Sequence, residues 1–316
     1  MDEVFTAIAA DGGYITRSDV LSMGQDDRFI RRQLHAGTWH RVRPGAYSLT
    51  ATWTGLDAAE RHRVLTRATM RSLGDGYVLS HQTGLLFHPG CDVWGVDLDR
   101  VHVTRRGGGS GGIEAGVVQH TGVCRDNDVV EVDGLLVMDP ARCVVETSML
   151  SRVEAGLVSA DSAVHHKVVS KQGIDEALAR APRWKGRRKA DLVARLTDGR
   201  SESVGETRAR YLCWTQGLPA PELQYPVHDP FSGRVLGVCD FCWPQHRLLG
   251  EFDGRPKYGR LLKPGDDAAE VVFREKERED ALRMATGFAM WRVTWSGLYA
   301  PQLSARRARL LMSAAA

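Results

Sequence analysis

The chain has 316 residues, 43% of them hydrophobic and 26% charged. That balance excludes wholesale disorder and predicts two or three folded segments. Its 42 basic and 39 acidic residues leave a net charge of only +3, so nucleic-acid contacts have to come from local patches.

No apolar run reaches the ~18–20 residues that span a bilayer. The start, Met1-Asp2-Glu3, is acidic where a signal peptide needs positive charge. Six cysteines are too few for a disulfide scaffold, and reduced thiols in a cytoplasm are expected.

Residues 1–50 predict a compact unit. A helix from Asp2 to Ala10 ends at Asp11-Gly12-Gly13, and Tyr14-Ile15 is extended. Thr16 caps a second helix to Met23, and Gln25-Asp26-Asp27 opens a third that Gly37 stops. Trp39 to Leu49 alternates around Pro44-Gly45, which predicts a hairpin. Three helices and a hairpin are the order of a winged helix-turn-helix.

Residues 51–198 predict a mixed region. Ala58–Leu73 is helical, and Val101–Thr104 and Val117–His120 are strands. The glycine run 107–112 lies between those strands and reads as a hairpin tip. It lacks the Gly-Lys-Ser/Thr ending of a phosphate loop. Asp133-Gly134 marks a turn. Helices follow at Ala141–Leu150, at Gly173–Arg180 and after the basic stretch Arg183–Lys189.

Residues 199–316 predict a helix (Ser203–Gln216), strands (Leu223–Val227, Val235–Trp243, Leu248–Asp253), a charged helix (Ala268–Ala285) and a strand (Phe288–Trp295). The expected class is mixed α/β of the α+β kind, closing on a small core with a mixed sheet.

The third helix places Arg28, Arg31, Arg32 and His35 at i, i+3, i+4 and i+7, on one face. Phe29, Ile30 and Leu34 point broadly the other way. Arg41 and Arg43 alternate on the first wing strand, which predicts a shared face. Cations along a groove-facing side meet phosphates, while Arg and Gln33 read base edges. The same stripe also suits a solvated helix. In this order with the wing, it predicts double-stranded DNA as the partner. The runs Ile15–Val20, Ile30–Gly37 and Arg41–Tyr47 resemble the winged-helix domain of AbiEi-type antitoxins of type IV toxin–antitoxin systems. Ser80–Thr83 and Pro140–Arg142 resemble the region that follows it in that family. The resemblance implies autorepression by DNA binding, with a cognate toxin as partner.

The strongest chemical signal lies in Val238–Pro244 and Leu249–Gly254. A hairpin centred on Gln245/His246 sets Asp240 opposite Glu251, with Asp253 on the same face. Facing carboxylates ~5 Å apart at Cβ repel. A hard divalent cation held by Asp240 and Glu251 relieves that repulsion and activates phosphate substrates. A one-residue slip of register separates the acids instead. Glu206, in Ser203-Val204-Gly205-Glu206, either caps its helix or reaches the acid cluster from the side.

Residues from Ser203 to Trp295 resemble the PD-(D/E)XK nuclease superfamily, near its very-short-patch-repair (Vsr) endonuclease-like branch. The resemblance implies Asp240 and Glu251 as ligands of Mg²⁺ or Mn²⁺, and metal-dependent cleavage of DNA. One position departs from the pattern: the superfamily lysine belongs two residues after the Glu, where Asp253 stands. Lys257 or Lys276 is then the substitute cation. Without one, the domain binds DNA without cutting it, as an antitoxin or autorepressor with an inert nuclease fold.

Three other features point to packing. Cys239 and Cys242 form a lone Cys-x-x-C that alternation sets on opposite strand faces. The histidines at 88, 165 and 166 make no ligand pattern. Ser80, His81 and Asp75 lack a nucleophile elbow.

Overall fold

A computed structural model of the chain describes residues 2–107, 110–254 and 268–314. The chain divides into two compact units, residues 1–196 and 197–316. The class is α+β: helices with an antiparallel and a mixed sheet in the first unit and a mixed sheet in the second. Among the described residues, no helix is long and apolar enough to cross a membrane.

The first unit opens with α1 (Asp2–Ala10), β1 (Ile15–Thr16), α2 (Arg17–Ser22), α3 (Asp27–His35), β2 (Trp39–Arg43) and β3 (Ala46–Leu49). Local chemistry explains the boundaries. The Thr16 hydroxyl accepts the Asp19 N–H at 3.1 Å, and the Asp19 carboxylate accepts the Thr16 N–H at 2.8 Å, a closed capping box. Asp26 caps α3 by accepting the Phe29 N–H at 2.8 Å. Gly45, at φ +80°, turns the β2–β3 hairpin. The strands run β1-β3-β2. Phe5, Phe29 and Trp39 form the core beneath them, with ring centroids 5.3–5.6 Å apart.

Next come α4 (Thr50–Gly55) and α5 (Ala58–Leu73). Tyr14 and Ala46 of the winged helix share a core with Val64 and Ala68 of α5. Gly13, at φ +84°, is required there, because a Cβ would lie 2.6 Å from a Val64 methyl. The winged helix and the middle region therefore pack as one unit.

A six-stranded sheet follows. It is built from β4 (Tyr77–Leu79), β5 (Val101–Arg105), β6 (Gly112–Glu114), β7 (Val117–His120), β8 (Val129–Val132) and β9 (Leu135–Met138), with α6 (His81–Phe87) after β4. The order is β6-β7-β5-β4-β9-β8. β5 pairs with β7 in parallel, and the antiparallel partner of β7 is β6. The glycine run is thus not a hairpin tip. It belongs to the crossover that carries the chain past β7 to the sheet edge, and its residues 108–109 lie outside the described residues. The turn at Asp133-Gly134 has both residues at positive φ (51° and 71°), as a two-residue hairpin requires. Helices α7 (Pro140–Leu150), α8 (Val153–His165), α9 (Lys171–Ala179) and α10 (Arg187–Leu196) complete the unit.

The second unit runs α11 (Val204–Thr215), β10 (Glu222–His228), β11 (Val235–Trp243), β12 (Leu248–Asp253), α12 (Ala268–Thr286), β13 (Ala289–Thr294), α13 (Trp295–Leu298) and α14 (Pro301–Ala314). Its mixed sheet has the order β10-β11-β12-β13, and β12 and β13 are parallel. Phe241, Trp243, Leu248 and Trp291 pack with residues of α11 and α14. Cys239, Cys242 and Leu249 pack with Leu282 of α12. The two cysteines share a core cluster rather than facing apart.

Candidate functional site

The cationic face of α3 is in place. Arg28, Arg31, Arg32 and His35 are exposed, while Phe29 and Ile30 are 7% and 3% exposed beneath them. The Arg32 guanidinium lies 5.7 Å from the Phe29 ring centroid, which holds its stem along the helix. Gln33 is half-buried, and its side-chain and main-chain oxygens both accept from the Thr38 hydroxyl. Arg41 is exposed. Arg43 is not its partner on a shared face. A register shift between Arg41 and Arg43 breaks the alternation. Arg43 instead donates to the Ser72 hydroxyl of α5 at 3.0 Å. Sequence reading passed over Arg17, which holds Asp27 through two contacts of 2.7 Å and so removes an acid's charge from the start of α3.

The acids of the second unit meet at the β11–β12 hairpin. The ladder pairs Trp243 with Leu248, Cys242 with Leu249 and Phe241 with Gly250, the register that a turn at Gln245/His246 sets. One more step brings Asp240 level with Glu251, but the ladder ends there. The Asp240 Oδ2 accepts the Phe252 N–H at 2.7 Å and stands in for a backbone carbonyl.

Burial pushes the Asp240 carboxyl up to about 6. The Phe252 hydrogen bond opposes this, Glu206 and Glu202 add to it, and Arg278 opposes it. Glu251 is 8% exposed and also raised, first by burial, then against Arg278 and Arg292 and with Asp240. Its Oε1 accepts from Arg278 at 2.6 Å, and its Oε2 lies 3.4 Å from Arg292. Arg292 also pairs with Glu279 at 2.8 Å.

Glu206 does both things expected of it. It accepts from the Ser203 hydroxyl (2.7 Å), the Glu202 N–H (2.9 Å) and the Gln224 amide (3.1 Å) at the helix start. Its charge also bears on Asp240. Gly205 allows this closeness, because a Cβ there would overlap the Phe252 ring of β12. Asp253 is half-buried beside Thr294 in the parallel register. Lys257 lies outside the described residues. Lys276 is exposed, and the cation that reaches Glu251 from α12 is Arg278. At 100° per residue, position 276 points ~200° away from 278. Arg278 sits one turn before the buried Leu282 and therefore shares its sheet-facing side. That spacing was the signal for a residue which sequence reading counted as part of a charge run.

The donor set suits a hard cation: two carboxylates, both partly withdrawn from water. A cation bound there takes over oxygens now used by Phe252 and Arg278. The Arg278 side chain is 44% exposed and can turn outward.

Without metal, Asp240 carries a stability signature. Its folded pKa is raised, so its contribution is fully present below the ordinary carboxylate range and is lost as pH rises through about 6. Denaturation in chelator across pH 4–7 is expected to show that loss, and Asp240→Asn to flatten it. An unchanged profile in the variant would refute the assignment.

No family model matches the chain. Two uncharacterized Mycobacterium tuberculosis proteins, MT2308 of strain CDC 1551 and Rv2248 of strain H37Rv, are each 34% identical to it over 122 residues. The match covers 39% of this chain and 44% of theirs, so less than half the length of each relative is spanned.

Proposed function

We propose that the chain binds double-stranded DNA through α3 and Arg41, and that its second unit is a phosphodiester hydrolase using Mg²⁺ or Mn²⁺. The observation that carries the reading is the half-buried Asp240 beside the buried Glu251, with Glu206 behind them and two arginines against Glu251. When bound there, the cation supplies positive charge to the scissile phosphate and lowers the pKa of a water. Asp240 and Glu251 would hold it. Glu206 ties the start of α11 to Gln224 of β10 and adds negative potential beside Asp240. Arg278 takes the part left vacant at position 253: a cation that meets charge developing on the phosphate. Incubation of supercoiled plasmid with Mg²⁺ or Mn²⁺ tests the reading, and nicking is the expected result.

The second reading is an AbiEi-like antitoxin or autorepressor, with a cognate toxin as partner and an inert nuclease fold. What favours it is the state of Glu251, both of whose oxygens face arginines, together with Asp253 at the usual lysine position. Specific DNA binding without nicking under either metal selects this reading.

Both readings share the winged helix. Arg31→Ala with Arg32→Ala is expected to weaken duplex binding and to lower the slope of log K against log salt by roughly two units, ~0.9 per phosphate contact. Affinity measured across a salt series checks it. A folded variant with unchanged slope would remove α3 from the interface.

A further inference from the structure

Outside the winged helix, three histidines of the first unit converge. His81 opens α6, His102 lies on β5 and His120 ends β7. In the parallel ladder His120 pairs with Thr104, so His102 is its diagonal neighbour on the same face. The His81 and His120 rings stack at 3.6 Å between centroids, and those of His102 and His120 lie 5.1 Å apart. One nitrogen from each ring lies within 4.8 Å of the other two.

Two details show that this convergence is built rather than incidental. His81 has φ +54°, a left-handed conformation that a non-glycine residue adopts only under constraint. The constraint is the buried carboxylate of Glu146, whose Oε2 accepts the His81 N–H at 3.1 Å and lies 3.3 Å from its Nδ1. That leaves Nε2 as the outward lone pair, with a carboxylate behind the ring, as metal-bound histidines are commonly supported. Second, His102 Nδ1 and His120 Nε2 face each other at 2.9 Å. Two such nitrogens share one proton; a metal ion that took both lone pairs would send that proton to His102 Nε2, which lies 3.0 Å from the Gln82 side-chain amide.

We propose that His81, His102 and His120 form a binding site for a divalent transition metal, with zinc as the representative ion. Imidazole nitrogen suits zinc at Zn–N distances of about 2.0–2.1 Å, and a tetrahedral ion with three protein ligands keeps a fourth position for water. Nitrogen donors do not suit Mg²⁺, so this site is chemically distinct from the acid pair in the second unit and independent of the function proposed above.

Full-length protein, stripped with chelator and titrated with Co²⁺, is expected to show the visible absorption of a low-coordinate nitrogen site at one equivalent. Zn²⁺ is expected to displace it. His102→Ala and His120→Ala should each weaken Zn²⁺ binding by more than the ~10–100-fold that loss of an outer-shell partner costs. Co²⁺-loaded wild-type protein should also give hyperfine-shifted, exchangeable imidazole N–H resonances, a readout that needs no variant. Absence of those resonances from protein that holds Co²⁺ overturns the assignment. So does an unaltered Co²⁺ spectrum in the double variant His102→Ala/His120→Ala, or failure of the wild type to bind Co²⁺ and Zn²⁺ at all.

Discussion

Asp240→Ala and Glu251→Ala are each expected to abolish metal-dependent nicking of DNA while leaving duplex binding by the first unit intact. Each removes one of two anionic ligands, and two carboxylates are about the minimum protein share of a Mg²⁺ site that keeps most of its waters. Losing one preorganised stabiliser of transition-state charge costs roughly 10²–10³-fold in rate, and losing the ion costs more. Arg278→Ala separates two roles for the arginine. If Arg278 only neutralises Glu251 in the absence of metal, its removal leaves cleavage unchanged and tightens metal binding. If it meets charge on the scissile phosphate, its removal lowers the maximal rate within the same ~10²–10³ range at saturating metal. Lys276→Ala is the matched control, since that side chain is exposed on another side of α12, and it should cleave normally. Nicking by the folded Asp240→Ala variant equal to wild type would end the hydrolase reading of this pair.

How much of this was legible in the residues depends on how local the determining physics is. The winged helix was readable because its boundaries are set by neighbours three residues apart: Thr16 with Asp19, and Asp26 with Phe29. The β11–β12 register was readable because the turn sets it. Helices α7 and α8 were harder. Residues 141–149 and 155–161 are buried without interruption, so no polar face exists to impose a 3.6-residue period. Only α7 was expected, and α8 was missed. The parallel pairing of β5 with β7 cannot be inferred from flanking turns, since parallel strands need a crossover. The glycine run was therefore taken for a hairpin tip.

The same distinction governs the site residues. Asp240 and Glu251 sit in one hairpin and announced each other. Arg278 and Arg292 reach Glu251 from a helix and a strand distant in sequence, and only Arg278 left a local trace, its spacing from Leu282. The three histidines come from three elements with no motif between them, and only folding assembles them. The Asp240 carboxylate takes the Phe252 backbone N–H just past the last rung of the β11–β12 ladder, and period-two reasoning does not anticipate a side chain acting as backbone.

Glu146→Ala is expected to destabilise the first unit by ~3–5 kcal/mol, the cost of stranding a buried charge by removing its partner. Glu146 is 1% exposed and Arg142 is 7% exposed. The Glu146 Oε1 accepts from Arg142 Nε at 2.8 Å, while Oε2 holds the His81 N–H. Arg142 also donates to Asp128 Oδ2 (3.1 Å) and to the Val123 carbonyl (2.8 Å). Burial alone would lower the Arg142 pKa, but Glu146 and then Asp128 outweigh it and the net direction is up. Without Glu146 the guanidinium stays charged with only part of its donors satisfied, and the strained start of α6 loses its anchor. Arg142→Ala is costly for the converse reason, since it strands two acids at once. The residues act as one network, so the double variant is expected to cost less than the two singles added, by about 0.5–3 kcal/mol. Chemical denaturation of the four proteins measures that coupling. Glu146→Gln should fall between wild type and Glu146→Ala. Its amide oxygen can still accept from Arg142, but its NH₂ then meets the His81 N–H donor to donor. Additive costs across the cycle would show that Glu146 and Arg142 stabilise the fold separately.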